Sequence, residues 1–312
     1  MPKELDDMRF YQAVEFLPPH LRRAARALPS EVRGAAEELR LRVGRPLTVT
    51  LPLGEREVPC PGRGGVTGED LDLVLEVASR GSAHAVLEEM RHGFLTVAGG
   101  HRIGVCGSGV VREGVVHNLK QLSSLNIRIA KEVPGVSAGV LEELLEDGVL
   151  QSTLILSPPG CGKTTLLRDL IRRISDGDGL APHRVGVADE RGELAAVEYG
   201  MPQMDVGAHT DVLNDCPREA ALMMLLRGMN PQVLAVDEIT AEADAKALEA
   251  AAGCGVALLV TSHGTGLSDL KDRPIGRQLL QRGIFRRVVA ISMEEGRRRY
   301  AVTKIDGEGA PC

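Results

Sequence analysis

Thr153-Leu154-Ile155-Leu156-Ser157-Pro158-Pro159-Gly160-Cys161-Gly162-Lys163-Thr164-Thr165 is the stretch that decides the fold. An apolar run of strand length leads into a loop of prolines and glycines. The run that follows, Thr164 to Ile174, carries Leu and Ile at helical spacing. Strand, glycine-rich loop, helix is the setting in which G-x-x-x-x-G-K-[ST] becomes a phosphate-binding loop. The glycines let backbone N–H groups converge on phosphate oxygens, and the helix N-terminus adds its positive dipole end. On this reading Ser157 through Thr165 cradle the phosphates. Lys163 reaches the β- and γ-phosphates of ATP, and the Thr164 hydroxyl ligates Mg²⁺. Ser157 stands where the pattern has its first glycine, and a residue that small is expected to keep the turn. The bland alternative is an ordinary glycine-rich turn, which the intact Gly162-Lys163-Thr164-Thr165 disfavours.

A metal held by Thr164 needs a carboxylate from elsewhere. Two apolar runs end in Asp-Glu: Val185 to Ala188 before Asp189-Glu190, and Val233 to Val236 before Asp237-Glu238. The Walker B strand is expected third in chain order and beside the strand of the phosphate loop. That choice assigns Asp237 to Mg²⁺ and Glu238 to polarising the attacking water. Asp189-Glu190-Arg191-Gly192-Glu193 then becomes a second acidic box near the γ-phosphate, with Glu190 its catalytic candidate; its alternative is a charged loop after a strand. Thr261-Ser262-His263 ends the next strand, and His263 is placed to sense γ-phosphate loss, against the plainer reading of a structural histidine.

Around these motifs the second half alternates strands (Thr153–Leu156, Arg184–Ala188, Val233–Val236, Val256–Thr261) with helices near 163–174, 216–228 and 241–252. Such alternation predicts an α/β fold, a mostly parallel sheet covered by helices. Arg286–Ser292 and Arg299–Ile305 read as an added hairpin. The first half differs. Helical spacing broken at Pro18-Pro19 and Pro29 gives way to short strands around Gly44, a helix over Glu69–Met90 and glycine-rich hairpins over Gly93–Arg128. It is a smaller α+β domain over 1–140, followed by the larger domain over 141–312. The boundary region holds a short helix ending at Gly148.

Composition excludes several functions. The net charge is −6, about −3 on each side of residue 148, so no overall basic footprint for nucleic acid is present. Aromatics are 2% of the 312 residues, which argues against base-stacking surfaces. Six widely spaced cysteines contain no CxxC pair, so neither a zinc site nor a disulfide framework is expected. No apolar run or leader-like start suggests a membrane span or export, which points to the cytoplasm. One basic stretch remains: Lys271 to Lys304 has ten Lys/Arg against three acids, either a solvated hairpin or a docking face for an anionic or membrane-near partner.

Further strings extend the reading: EELRLRVGRPL, GFLTVAGGHRIGVCG, LKQLSSLNIRIAKEVPG, SPPGCGKTTLLRDLIR, DERGE and NPQVLAVDEIT, from about residue 37 to 263. With them the chain resembles the stage III sporulation protein AA family, related to type II and type IV secretion ATPases. The resemblance implies a RecA-like ATPase core joined to a smaller N-terminal domain, assembled as a homo-oligomeric ring, a hexamer. It also implies work in the mother cell beneath membrane proteins of a channel to the forespore. Arg102 and Arg128 are similar to N-terminal-domain arginines that reach the nucleotide in secretion ATPases; Arg191 and Arg227 are alternatives within the core. Gly192 departs from the family pattern, where a bulkier residue is expected. The competing functions are a RecA-like nucleic-acid motor and a nucleotide-binding scaffold with little turnover.

Overall fold

The computed structural model describes all residues except 1, 63, 80–92, 113–114, 295–296, 307–308 and 312, and describes no side chains for 2–5, 112 and 115–118. The chain divides into two compact units, Met1–Glu132 and Val133–Cys312.

In the first unit, prolines set the helix starts. Pro19 opens Pro19–Arg26, and Pro29 precedes Ser30–Ala35, because a residue without an N–H loses nothing in a first turn. A six-stranded antiparallel sheet follows, in the order Gly54–Glu57, Thr48–Leu51, Glu38–Arg42, Val115–Arg128, His101–Arg112, Phe94–Val97. Leu39, Leu41, Ile103 and Ile127 alternate inward along it and meet Phe10, Leu21 and Leu71 from the helices. The helix expected over Glu69–Met90 is present as Gly68–Ser79; the remainder lies outside the described residues.

His101 is wholly buried in this unit. Its Nδ1 accepts from the Ala130 N–H at 3.0 Å, so the proton sits on Nε2, which has no hydrogen-bond partner among the described residues. Burial, aided by the Arg9 charge, pushes the imidazole down to about 4 from 6.5. A base whose folded value is depressed costs stability as pH falls, because the unfolded chain binds the proton first. We expect stability to be flat above pH 6.5 and to drop by up to about 3 kcal/mol between pH 6.5 and 4. Urea midpoints across that range check it. His101→Asn, which keeps an acceptor but cannot titrate, flattens the profile; an unchanged slope would exclude His101 as the cause.

The second unit is built on a seven-stranded sheet, in the order Thr210–Asn214, Val185–Asp189, Val233–Val236, Ala257–His263, Thr153–Ser157, Arg287–Glu294, Arg297–Lys304. All neighbours are parallel except the final hairpin. Leu154 and Leu156 face one cluster, with Leu222 and Leu248 from helices Arg218–Gly228 and Glu242–Gly253. Ile155 faces the other, with Leu167 and Ile171 from Lys163–Asp176. Cover on both faces explains why these strands read as continuous apolar runs. Among the described residues no helix is long and apolar enough to cross a membrane.

Two expectations are corrected. Val233–Val236 is not beside Thr153–Ser157, nor third in chain order: Thr210–Asn214 precedes it, and Ala257–His263 lies between the two strands. Parallel strands need crossover connections, and a crossover can skip a place, so chain order does not fix sheet order. The helix before Gly148 ends earlier, at Glu143. Asp147 and Gly148 both have positive φ and turn a small hairpin pairing Leu145–Glu146 with Val149–Leu150, as Asp-Gly does in two-residue turns.

The segment entering this unit is fastened to the helix after the glycine-rich loop. Asp169 accepts from the backbone of Gly135 at 3.0 Å and of Ser137 at 2.8 Å, and from the Ser137 hydroxyl at 2.7 Å. Burial works to raise this carboxyl, but the bonds from Ser137 and Gly135, with Arg172, outweigh it and hold it below the usual range.

Candidate functional site

Parallel strands release their loops at one edge, where ligands of open α/β sheets bind. There the Thr153–Ser157 strand ends in Ser157, which pairs with His263 in extended backbone, so the first-glycine position makes no demand for glycine. Gly160 and Gly162 do need it, at φ 77° and 96°. Gly162 caps the Lys163–Asp176 helix, leaving the first-turn N–H groups open to an acceptor. Gly192, unexpected in the sequence, has φ 61° and open space around it, so glycine relieves a left-handed turn there.

Lys163 is buried, and its ammonium donates to the Ser157 carbonyl at 3.3 Å and to His263 Nδ1 at 3.2 Å. Burial pushes its pKa down, against the pull of Asp237 and Glu238. Since an ammonium only donates, the His263 proton is assigned to Nε2, which meets Glu238 Oε1 at 2.6 Å. The other Glu238 oxygen accepts from Arg191 at 2.7 Å. Glu238 is itself left-handed, φ 60°, a conformation uncommon for a side chain of its size. Lys163, His263, Glu238 and Arg191 therefore form one chain of hydrogen bonds.

Beside it, the Thr164 hydroxyl donates to Asp237 Oδ2 at 2.7 Å, although Asp237 is two strands away. The intervening strand supplies the bridge: the Thr261 hydroxyl donates to the second Asp237 oxygen and accepts the Glu238 N–H at 2.8 Å. Burial pushes the Asp237 carboxyl up, offset by Thr261, Thr164 and Lys163. A hydroxyl and a desolvated carboxylate together are hard oxygen donors of the kind Mg²⁺ takes, one or two from protein with phosphate and water completing the shell. The residues present fit that ion.

The two members of the first Asp-Glu pair separate. Asp189 is spent on its own loop, accepting from the backbone of Glu193, Leu194 and Ala195 at 2.8, 3.1 and 2.8 Å. Arg168, from the helix after the glycine-rich loop, clamps the same turn through the Leu194 carbonyl at 2.6 Å. Glu190 pairs instead with Arg218 at 2.8 Å, and Arg218 Nε donates to the Asp237 carbonyl at 3.0 Å. Arg218 was not legible as a functional residue; the one signal is a cation opening a helix, where the dipole disfavours it. Arg227, an alternative arginine in the sequence, stands nine residues further along the same helix, roughly 13 Å from Arg218. There it lines a cavity of about 680 Å³ with Arg184 and Gln232, at the opposite edge of the sheet.

Arg102 and Arg128 belong to the first unit, directly opposite each other across a hairpin. Arg128 also lies opposite Glu38, 3.7 Å from its carboxylate, with 67% of its side chain exposed. Arg102 lies over the Phe94 ring. Among the described cysteines all are free, including Cys161 in the glycine-rich loop.

The family profile described as "Sporulation stage III, protein AA" matches residues 12–306. The Stage III sporulation protein AA of Bacillus subtilis (strain 168) is 37% identical over 286 residues, 91% of this chain and 92% of its own. Among solved structures, the pilus retraction motor PilT with bound ADP superposes with a TM-score of 0.59 at 18% identity, covering 87% of this chain and 80% of its own. The ATPase DotB of Legionella pneumophila does so at 0.55 and 14%, covering 89% and 80%. The fold is that of a RecA-like P-loop ATPase core carrying an N-terminal α+β unit.

Proposed function

The chain belongs to the sporulation stage III protein AA family, and from that premise we propose that it is a Mg-ATP-hydrolysing motor of the secretion-ATPase kind. One observation carries the reading: the Thr164 hydroxyl rests on Asp237 while the adjacent Glu238 is held by His263 and Arg191. A phosphate loop that follows one strand thus meets a metal carboxylate and a candidate base that follow another. The bound ADP of the similar pilus motor supports nucleotide as the ligand.

In this mechanism residues 157–165 bind the triphosphate, with Lys163 the point charge on its β- and γ-oxygens. Thr164 and Asp237 hold Mg²⁺, which neutralises phosphate charge when bound. Glu238 orients a water for in-line attack and takes its proton. His263, between Lys163 and Glu238, reports whether the γ-phosphate is present. Glu190 acts at one remove, steadying Asp237 through Arg218. The chemistry belongs to the domain of residues 141–312. Arg102 or Arg128 of the 1–140 domain completes a site in a homo-oligomeric ring, a hexamer, and neutralises charge on the γ-phosphoryl group. The partly solvated Arg128 supports that role. In the cell the ring works in the mother-cell cytoplasm, recruited by membrane proteins of the channel to the forespore, and drives assembly or transport there.

Steady-state phosphate release tests the proposal. Turnover per subunit rises with protein concentration, and Arg128→Ala lowers it at least about tenfold. Mixing that variant with Lys163→Ala restores part of the activity, since each supplies what the other lacks. Release that is independent of concentration, with a fully active Arg128→Ala, places the chemistry within one chain.

A further inference from the structure

The basic run at the end of the sheet divides by face. Arg297–Lys304 pairs antiparallel with Arg287–Glu294, and side chains two apart share a face. Tyr300 and Val302 pack against the cluster that holds Leu166 and Leu170 of the helix after the glycine-rich loop. Arg298 is on their face, and Arg299, on the other, pairs with Glu294 at 2.6 Å. Arg298 does not extend into solvent alone: its Nε donates to the Cys161 carbonyl at 3.0 Å. Its guanidinium covers Gly162, where an added Cβ would come within 2.9 Å of Nε.

That is an unfavourable place for a cation. The N-terminus of Lys163–Asp176 is the positive end of its dipole, and the Lys163 ammonium is the helix's first residue. Among the described residues no carboxylate forms an ion pair with Arg298. The Cys161 carbonyl occupies one of five guanidinium N–H groups, and the other four form a planar fork suited to phosphate oxygens. We propose that Arg298 is a nucleotide-binding residue that closes the phosphate loop from the side of the sheet away from His263 and contacts the phosphate nearer the nucleoside.

The assignment rests on the function proposed above. The strand of the phosphate loop has Ala257–His263 on one flank and Arg287–Glu294 on the other. Asp237, Glu238 and His263, which serve the γ-phosphate, lie on the first flank, so the chain of phosphates leads toward the second. Arg298 approaches from there. It is a determinant of affinity for the diphosphate as much as for the triphosphate, because what it touches is retained in the product.

Titration of the full-length protein with ADP in the absence of divalent metal tests this without reference to turnover. Arg298→Ala weakens ADP binding by about 10- to 100-fold, the loss typical of a charge-assisted pair. Arg298→Gln, which keeps an N–H for the Cys161 carbonyl but no charge, binds as poorly, and Arg298→Lys recovers part. Arg299→Ala, on the opposite face, binds like the parent. Parent-like affinity in Arg298→Ala overturns the inference, as does rescue by Gln, which would make the residue a prop for the loop. A parent chain that binds no nucleotide overturns the reading of the site itself, and this inference with it.

Discussion

Lys163→Ala folds normally and no longer binds Mg-ATP at concentrations that saturate the parent. The ammonium is buried where the loop turns into the helix, held by the Ser157 carbonyl and His263. Burial lowers its pKa, so the protein bears a desolvation cost to keep a charge there. Removing that charge relieves the fold and disables the site. Backbone amides still point at the phosphates, but they carry no mobile charge to follow the β- and γ-oxygens. Losing one partner of a buried charge pair costs about 2–5 kcal/mol. Affinity therefore falls roughly 30- to 4,000-fold at about 1.4 kcal/mol per decade. Calorimetric titration with Mg-ATP, with circular dichroism to confirm the fold, decides it. Parent-like affinity would mean the loop is not a phosphate site.

Glu238→Gln separates binding from chemistry. The substitution keeps the shape of the side chain and an oxygen to accept from His263, but removes the basicity that takes a proton from water. ATP binds as in the parent, and single-turnover hydrolysis slows by about 10²–10⁴, the usual contribution of a general base. Glu190→Gln slows it less, because Glu190 touches Arg218 rather than the site. A larger loss from Glu190 than from Glu238 would exchange the roles of the two Asp-Glu strands. The backbone supports the present order: a left-handed, non-glycine Glu238 is the kind of locally costly conformation that persists where function over-determines it.

Much of this was legible in sequence because of periodicity. Strands buried on both faces announce themselves as apolar runs, and the Gly-Lys-Thr-Thr turn marks where one of them gives way to a helix. What escaped was lateral. Thr210–Asn214 is a half-buried edge strand without an apolar run, so nothing in its composition sets it apart from a loop. Its omission made Val233–Val236 third in chain order, and the skipped place, filled by Ala257–His263, put that strand one position too close to the glycine-rich loop. Asp189 and Asp237 look alike in sequence; only the geometry shows one consumed by its own turn and the other turned toward Thr164. Arg218 and Arg298 are two arginines among many, and only a fold brings them against Asp237 and Gly162.

The clamp on Asp169 has a mechanical consequence. The helix that follows the glycine-rich loop is gripped, less than two turns along, by residues 135–137, close after the end of the N-terminal unit. In the proposed motor, tension on that stretch is tension on this helix, through the bonds to Asp169. Binding free energies are reciprocal. A load that tilts the helix must alter nucleotide affinity, and a nucleotide that seats the helix must resist the load by the same amount. In the motor proposed above, Asp169 is thus a coupling pin, the point at which force on the chain and occupancy of the loop become one quantity.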